Sequence, residues 1–272
     1  MHIHPNAIVH PKAKVADDVV VGPFCVVGEH VTLGKGTRLL SHVTVEGWTE
    51  IGERCELHPF VSIGGPPQHL GYKGEPTKVV IGDDNVFREY VTVNRATMQG
   101  GGLTSIGHKN FLMAYTHVAH DCRLGNSLIM ANAASLAGHI TIGDHAIIGG
   151  LSGIHQYVRI GAYAMVGGCC ALGQDLPPFM RAAGGYRARM YGLNSVGLRR
   201  HGFSSDRVAV LKRAYDILFR SGHRMAEAAR LAKAEFGDQP DVMAVLESGE
   251  LKGRKIGTTW RITRAAVTSY LS

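Results

Sequence analysis

Apolar side chains recur at every sixth position over most of this chain. Ile3, Val9, Val15, Val21, Val27, Leu33, Leu39, Val45, Ile51, Leu57 and Ile63 form a first run, and Ile81, Phe87 and Val93 a short second one. A third comprises Ile106, Leu112, Val118, Leu124, Met130, Leu136, Ile142, Ile148, Ile154, Ile160, Val166 and Leu172. In a chain that is 45% apolar, twelve such hits in a row arise by chance about once in 10,000 trials. A period of six is neither the 3.6 of a helix nor the alternation of a single strand, so it marks an internal repeat. One repeat cannot bury its own aliphatic residue. Stability must come from stacking repeat on repeat.

A six-residue period with a small residue, often Gly, after the aliphatic resembles the hexapeptide family of left-handed parallel β-helices. That resemblance implies three repeats per triangular coil, with residue n beneath n+18 and coils about 4.8 Å apart. The predicted fold is mainly β: a β-helix over residues 1–180, followed by a small helical C-terminal domain. Two loops interrupt the prism, at 64–80 and 94–105. The first contains Gly64-Gly65-Pro66-Pro67 and keeps the count of 18 between Ile63 and Ile81, with His69 and Glu75 where aliphatics are due. The second contains Gly100-Gly101-Gly102 and shifts the phase by one residue. Loops of this length inside a regular scaffold favour a functional role.

Past Asp175-Leu176-Pro177-Pro178 the pattern changes. Residues 181–203 read as a basic linker. Residues 204–272 read as helical, with Ser204 or Ser205 as a cap and Val208, Leu211, Tyr215 and Leu218 on one face. Further helices carry Met225 to Phe236 and start at Pro240. From about residue 251 the tail is basic; Gly253 to Ile262 reads as a hairpin leading to a helix capped by Thr263, similar to the wing of excisionase-type DNA-binding domains.

Charge and cysteine usage sharpen the class. The formal charge is +7, and residues 181–213 hold Arg181, Arg187, Arg189, Arg199, Arg200, Arg207, Lys212 and Arg213 against Asp206 alone. An anionic partner suits such a segment. Cys25, Cys55, Cys122, Cys169 and Cys170 form no CxxC pair and are odd in number, which fits buried thiols in a reducing compartment, the cytoplasm. There is no apolar run long enough to span a bilayer, and the N-terminus does not read as a signal peptide.

The chemistry concentrates in His117-Val118-Ala119-His120-Asp121-Cys122. The stacking rule puts His139 one coil above Asp121, Gln156 two coils above His120, and Gly138 between these two, leaving His120 uncovered by the next coil. A His near neutrality takes a proton from a hydroxyl, and a neighbouring carboxylate orients it. Gly138 offers a backbone N–H to a developing oxyanion. This arrangement suits direct acyl transfer: His120 as general base, Asp121 its partner, Gly138 the oxyanion donor.

With Leu136-Ala137-Gly138-His139, His155-Gln156, Val166-Gly167-Gly168-Cys169, Gln99-Gly100-Gly101-Gly102 and Gly197-Leu198-Arg199-Arg200-His201-Gly202, this run resembles the UDP-N-acetylglucosamine O-acyltransferase family. The resemblance spans the N-terminus to about residue 235. It implies transfer of a 3-hydroxyacyl chain from acyl carrier protein to the 3-hydroxyl of UDP-N-acetylglucosamine, the first step of lipid A synthesis. It further implies a homotrimer with sites between subunits and no metal or cofactor. His117, His139, His155, Gln156, Asn194 and Arg200 would hold the nucleotide sugar or the acyl group. Gln68 would contact substrate, Gly168 would leave room for a longer chain, and the basic segment would meet the acidic carrier protein.

Three positions depart from that pattern. His69 and Gly71 stand where the family carries an acid and a lysine, and Val196 stands for a glutamate. These departures favour an alternative acceptor, a 3-amino sugar nucleotide or another sugar. A three-histidine metal site of the gamma-class carbonic anhydrase kind and a DNA-binding scaffold are weaker readings.

Overall fold

A computed structural model describes residues 2–248 and, as backbone alone, the strands Gly253–Ile256 and Thr259–Ile262. Short strands, mostly of two residues, stack into three sheets of 11, 9 and 8 strands, parallel except for the last strand of the first. These are the three faces of a triangular prism, and the coils wind as a left-handed parallel β-helix. Register follows the period: His2 pairs with Val20 on the first face, Ile8 with Val26 on the second, and Lys14 with Thr32 on the third.

Each two-residue strand points one side chain in and one out. Leu39, Val45, Leu57, Ile63, Phe87, Val93, Leu112, Val118, Met130 and Ile148 are fully buried. Side chains n and n+18 lie on top of each other, so Val118, Leu136 and Ile154 form one continuous interior column beneath the second face. Ile3, Val9 and Val15, at the open N-terminal end, are only partly covered.

The corners follow from left-handed backbone. Non-glycine residues with φ near +60° recur along the chain, including Phe24, His42, Phe60, Tyr90 and Tyr115 between the first and second faces. Asp121, His139 and Tyr157 take the same conformation between the second and third. This conformation disfavours most L-residues, while Asp, Asn and His tolerate it better. Stacking offsets the cost. Phe24, His42, Phe60, Tyr90 and Tyr115 form a ladder with ring centroids 4.8–4.9 Å apart.

The loops correct the sequence register. Ile81 pairs above Ile51 on the third face, not above Ile63, so the step across the first loop is 30 residues. The strands run on to Gly65 and resume at Lys78, which confines that loop to 66–77. The second loop is likewise confined to 95–102, between Thr92–Asn94 and Leu103–Ile106. Its coil step is 25 residues, since Thr92 pairs with His117.

The segment expected as a basic linker is ordered. Met180–Ala183 adds to the first face, and Arg189–Leu193 pairs antiparallel with it, closing the prism. A short helix α1, Ser195–Arg200, follows. Then come α2 (Ser205–Arg220), capped by Ser204, α3 (Met225–Phe236) and α4 (Pro240–Glu247). Arg207 bridges to Asp241 and lies 3.7 Å over the Phe203 ring, whose neighbours Tyr163 and Phe179 are corner residues of the β-helix. In the tail the hairpin is present as backbone, Gly253 pairing with Ile262. The helix expected from Thr263 lies outside the described residues.

Candidate active site

The corner between His117–Val118 on the second face and Arg123–Leu124 on the third carries the reactive groups. His120 and Asp121 are its turn residues, and the left-handed φ of Asp121, 63°, turns the chain there. His120 Nδ1 lies 2.8 Å from Asp121 Oδ2. Since the carboxylate accepts, the neutral ring donates from Nδ1 and Nε2 is left basic.

Asp121 is held from below by the second loop. Its carboxylate accepts from the Thr97 amide at 3.0 Å and the Thr97 hydroxyl at 2.7 Å, and its own amide donates to Thr104 Oγ1 at 2.8 Å. The Asp121 side chain is 0% exposed. A buried carboxylate without partners would be expensive, and these donors supply them. Gly100 is required beside it: a Cβ there would sit 2.0 Å from Asp121 Cγ.

His139 stacks on Tyr157 at 4.5 Å, and its Nε2 lies 3.7 Å from Asp121 Oδ2. Burial lowers its pKa, with the Asp121 carboxylate opposing. His117 is held by Thr92, with Nδ1 2.7 Å from Oγ1; burial and then the neighbouring His120 lower its pKa. At Gly138 a Cβ would lie 2.5 Å from His120 Cε1, so the ring rests against bare backbone. Among the described residues no backbone carbonyl takes the Gly138 N–H.

Cys122 is not part of this chemistry. It is buried, its Sγ contacts Ala137 O at 3.2 Å, and burial pushes its thiol up to about 12. A thiol so protonated is a poor nucleophile at neutral pH. Donor atoms of His120, Asp121 and His139 lie within 4.8 Å of one another, close enough to gather around a cation. Asp121 Oδ2, however, already accepts from both His120 and Thr97. A cation would have to displace those bonds, so the set fits a hydrogen-bonded relay better than a coordination site.

The structure brings His117, His120, Asp121, Gly138 and His139 together, with His155 and the exposed Gln156 on the coil above His139. The exposed Gln68 belongs to the first loop, which returns to this edge: the ring of the next residue, His69, meets His120 edge-on at 5.5 Å. Gly138 puts no side chain over His120, but the ring is not uncovered: His139 on the coil above meets it edge-on at 5.1 Å, and His69 does so from the loop. Gly168 is not in this group. It is exposed at the corner between the first and second faces, where an added Cβ would meet Gly150 O at 3.4 Å.

Asn194, expected at substrate, is buried and serves the chain itself. Its Oδ1 caps α1 at Gly197 N (3.2 Å), and its Nδ2 donates to Tyr163 O (3.0 Å). Arg200 is exposed in the last turn of that helix, and Val196 is 61% exposed in its first. Sequence reasoning missed Thr92, Thr97 and Thr104. The coil step of 25 residues, had it been recognised, places residue 96 beneath 121, next to Thr97.

Known proteins resemble this chain over most of its length. Residues 1–35 match a family described as bacterial transferase hexapeptide repeats, and 175–257 one described as UDP-N-acetylglucosamine O-acyltransferase, domain 2. The acyl-[acyl-carrier-protein]–UDP-N-acetylglucosamine O-acyltransferase of Thermodesulfovibrio yellowstonii is 55% identical over 254 residues, 93% of this chain and 98% of that protein. The chain belongs to the UDP-N-acetylglucosamine O-acyltransferase family. It is an O-acyltransferase. A member of the same name from Halorhodospira halophila is 48% identical over 90% of this chain and 95% of its own length. Among solved structures, LpxA from Acinetobacter baumannii superposes with a TM-score of 0.88 at 43% identity, covering 90% of this chain and 95% of that one. The Arabidopsis UDP-N-acetylglucosamine acyltransferase gives 0.80 at 34% identity, covering 91% and 95%. No described helix is long and apolar enough to cross a membrane.

Proposed function

We propose that this enzyme transfers a 3-hydroxyacyl chain from acyl carrier protein to the 3-hydroxyl of UDP-N-acetylglucosamine, by direct attack and with His120 as general base. The observation that carries the mechanism is the hydrogen-bonded pair of His120 Nδ1 and Asp121 Oδ2, with the carboxylate fixed in turn by Thr97. Nε2 takes the proton as the sugar oxygen attacks the thioester carbon. A C–O bond forms, the C–S bond breaks, and the proton passes from His120 to the departing sulfur. Asp121 stabilises the transient imidazolium, and the Gly138 N–H faces the oxyanion. Cys122, buried and protonated, leaves no thiol nucleophile at this corner.

The enzyme works as a homotrimer with each site between subunits. His120 and Gly168 lie at different corners of one chain, a separation that supports this reading, because a neighbour's first–second corner can face the second–third corner that carries His120. Gly168 and Arg200 then act from the neighbour, and exposed arginines such as Arg199 and Arg200 receive the acidic carrier protein. Asn194 acts by fixing α1, and through it the placement of Arg200.

A second acceptor, the 3-amino analogue of the sugar nucleotide, is favoured by one observation: the first loop presents His69 and Gly71 at the site. Transfer from 3-hydroxyacyl carrier proteins of graded length to both nucleotides, run in parallel, separates the two. Faster turnover of the hydroxyl acceptor is expected. Turnover of the amine alone would move the enzyme to that specificity, and turnover of neither would overturn the reading.

A further inference from the structure

The first loop approaches the catalytic pair in a way that its own residues dictate. Arg95 fastens it: its guanidinium donates to Gly64 O at 2.8 Å and to the Tyr72 hydroxyl at 2.9 Å, and lies over the Trp48 and Tyr72 rings. Tyr72 in turn donates to Glu75 O at 2.6 Å. Within the loop so held, the His69 amide bonds Pro67 O and the Tyr72 amide bonds His69 O, which fixes the backbone at His69. The side chain is then aimed at His120, edge to face at 5.5 Å.

The imidazole of His69 is also held by its own loop. The Gly71 amide donates to Nδ1 at 3.1 Å, so in the neutral ring that nitrogen is unprotonated and the proton sits on Nε2. Gly71 has an ordinary backbone conformation, outside the left-handed region, so no conformational demand calls for glycine there. Space does. A Cβ at residue 71 would lie 2.9 Å from His69 Cε1 and 3.2 Å from Nδ1. The absence of a side chain at 71 and the pose of the imidazole at 69 are therefore one device.

We propose that His69 is an acceptor-positioning residue of this enzyme, offering Nε2–H to the sugar beside the general base, and that Gly71 exists to admit that pose. The inference rests on the acyl-transfer reading above. An N–H donor next to the reacting group suits an acceptor with a free lone pair, a hydroxyl or an uncharged amine, and disfavours an ammonium.

A double-mutant cycle on the full-length enzyme tests it, with kcat and KM measured for UDP-N-acetylglucosamine. His69→Ala is expected to lower kcat/KM about tenfold or more, mostly through KM, and His69→Gln, which restores an N–H donor, to recover part of the loss. Gly71→Ala is expected to cost several-fold in the wild-type background and nothing further in the His69→Ala background. Equal costs of Gly71→Ala in both backgrounds, or full kcat/KM in His69→Ala, would overturn the proposal while leaving the acyl-transfer reading intact. Absence of transfer by the wild-type enzyme would instead overturn that parent reading, and this inference with it.

Discussion

Two corners of the same prism use one backbone for opposite ends. Between the first and second faces, Phe24, His42, Phe60, Tyr90 and Tyr115 each adopt φ near +60° and stack into an aromatic ladder. Between the second and third faces, Tyr157 and His139 continue such a ladder at 4.5 Å, but the next residue down is Asp121. There the stack ends, and a buried carboxylate takes its place, satisfied by Thr97 and His120. The β-helix thus supplies positions at fixed spacing and is indifferent to what fills them. Chemistry appears where the stacking partner is replaced by a charge and a loop supplies that charge with donors.

The comparison can be broken most severely at Asp121. Asp121→Asn keeps the size but no longer holds the His120 proton on Nδ1 or stabilises its cation, and transfer should fall by about two orders of magnitude or more. Steady-state kinetics at saturating acyl donor checks this, with a melting curve to exclude unfolding. Gly138→Ala should come next. A methyl group 2.5 Å from His120 Cε1 must displace the ring, and a loss of about tenfold or more in kcat is expected with little change in Tm. Thr97→Val removes the 2.7 Å hydroxyl donor and leaves the amide donor in place, so a smaller loss is expected, accompanied by about 1.5–3 kcal/mol of stability, the usual range for a hydrogen bond to a charged group.

A subtler feature of the reactive region is its response to pH. His117 and His139 have pKa values lowered in the fold, so the unfolded chain binds protons first as pH falls. The stability they allow is fully present above about pH 6.5 and is lost as pH drops through their folded values. Tm measured at pH 7.5 and pH 5.5 should fall for the wild type and fall less for His117→Gln. The smallest expected effect belongs to the ladder. His42→Ala removes two stacking contacts, each worth about 0.5–1.5 kcal/mol, and should lower Tm by a few degrees with kcat unchanged.

The prism was legible because a six-residue period leaves an aliphatic at each inward position, and the n+18 rule then places His139 over Asp121 without any structure. The loops were not. Inside 66–77 no period constrains the chain, so the reach of His69 to His120 depends on the Arg95 and Tyr72 contacts, which join residues far apart in sequence. Residues 181–203 misled for a related reason. Their arginines point outward from strand and helix alike, and the pairing of Arg181 with Gly192 has no hydrophobic pattern to announce it. The structural share of Asn194 was not legible either, since an amide that can bind a ligand can equally cap a helix.

The most direct test of the central claim sets one corner against the other: the rate of acyl transfer to UDP-N-acetylglucosamine by His120→Ala beside that of His42→Ala. The account predicts no measurable transfer from His120→Ala with its melting transition retained, and full transfer from His42→Ala, far down the ladder from the His120 coil, with a lowered Tm. Transfer by His120→Ala at the wild-type rate would contradict it, because the reactive proton would then have to be taken by a group other than the one that this corner is built to hold.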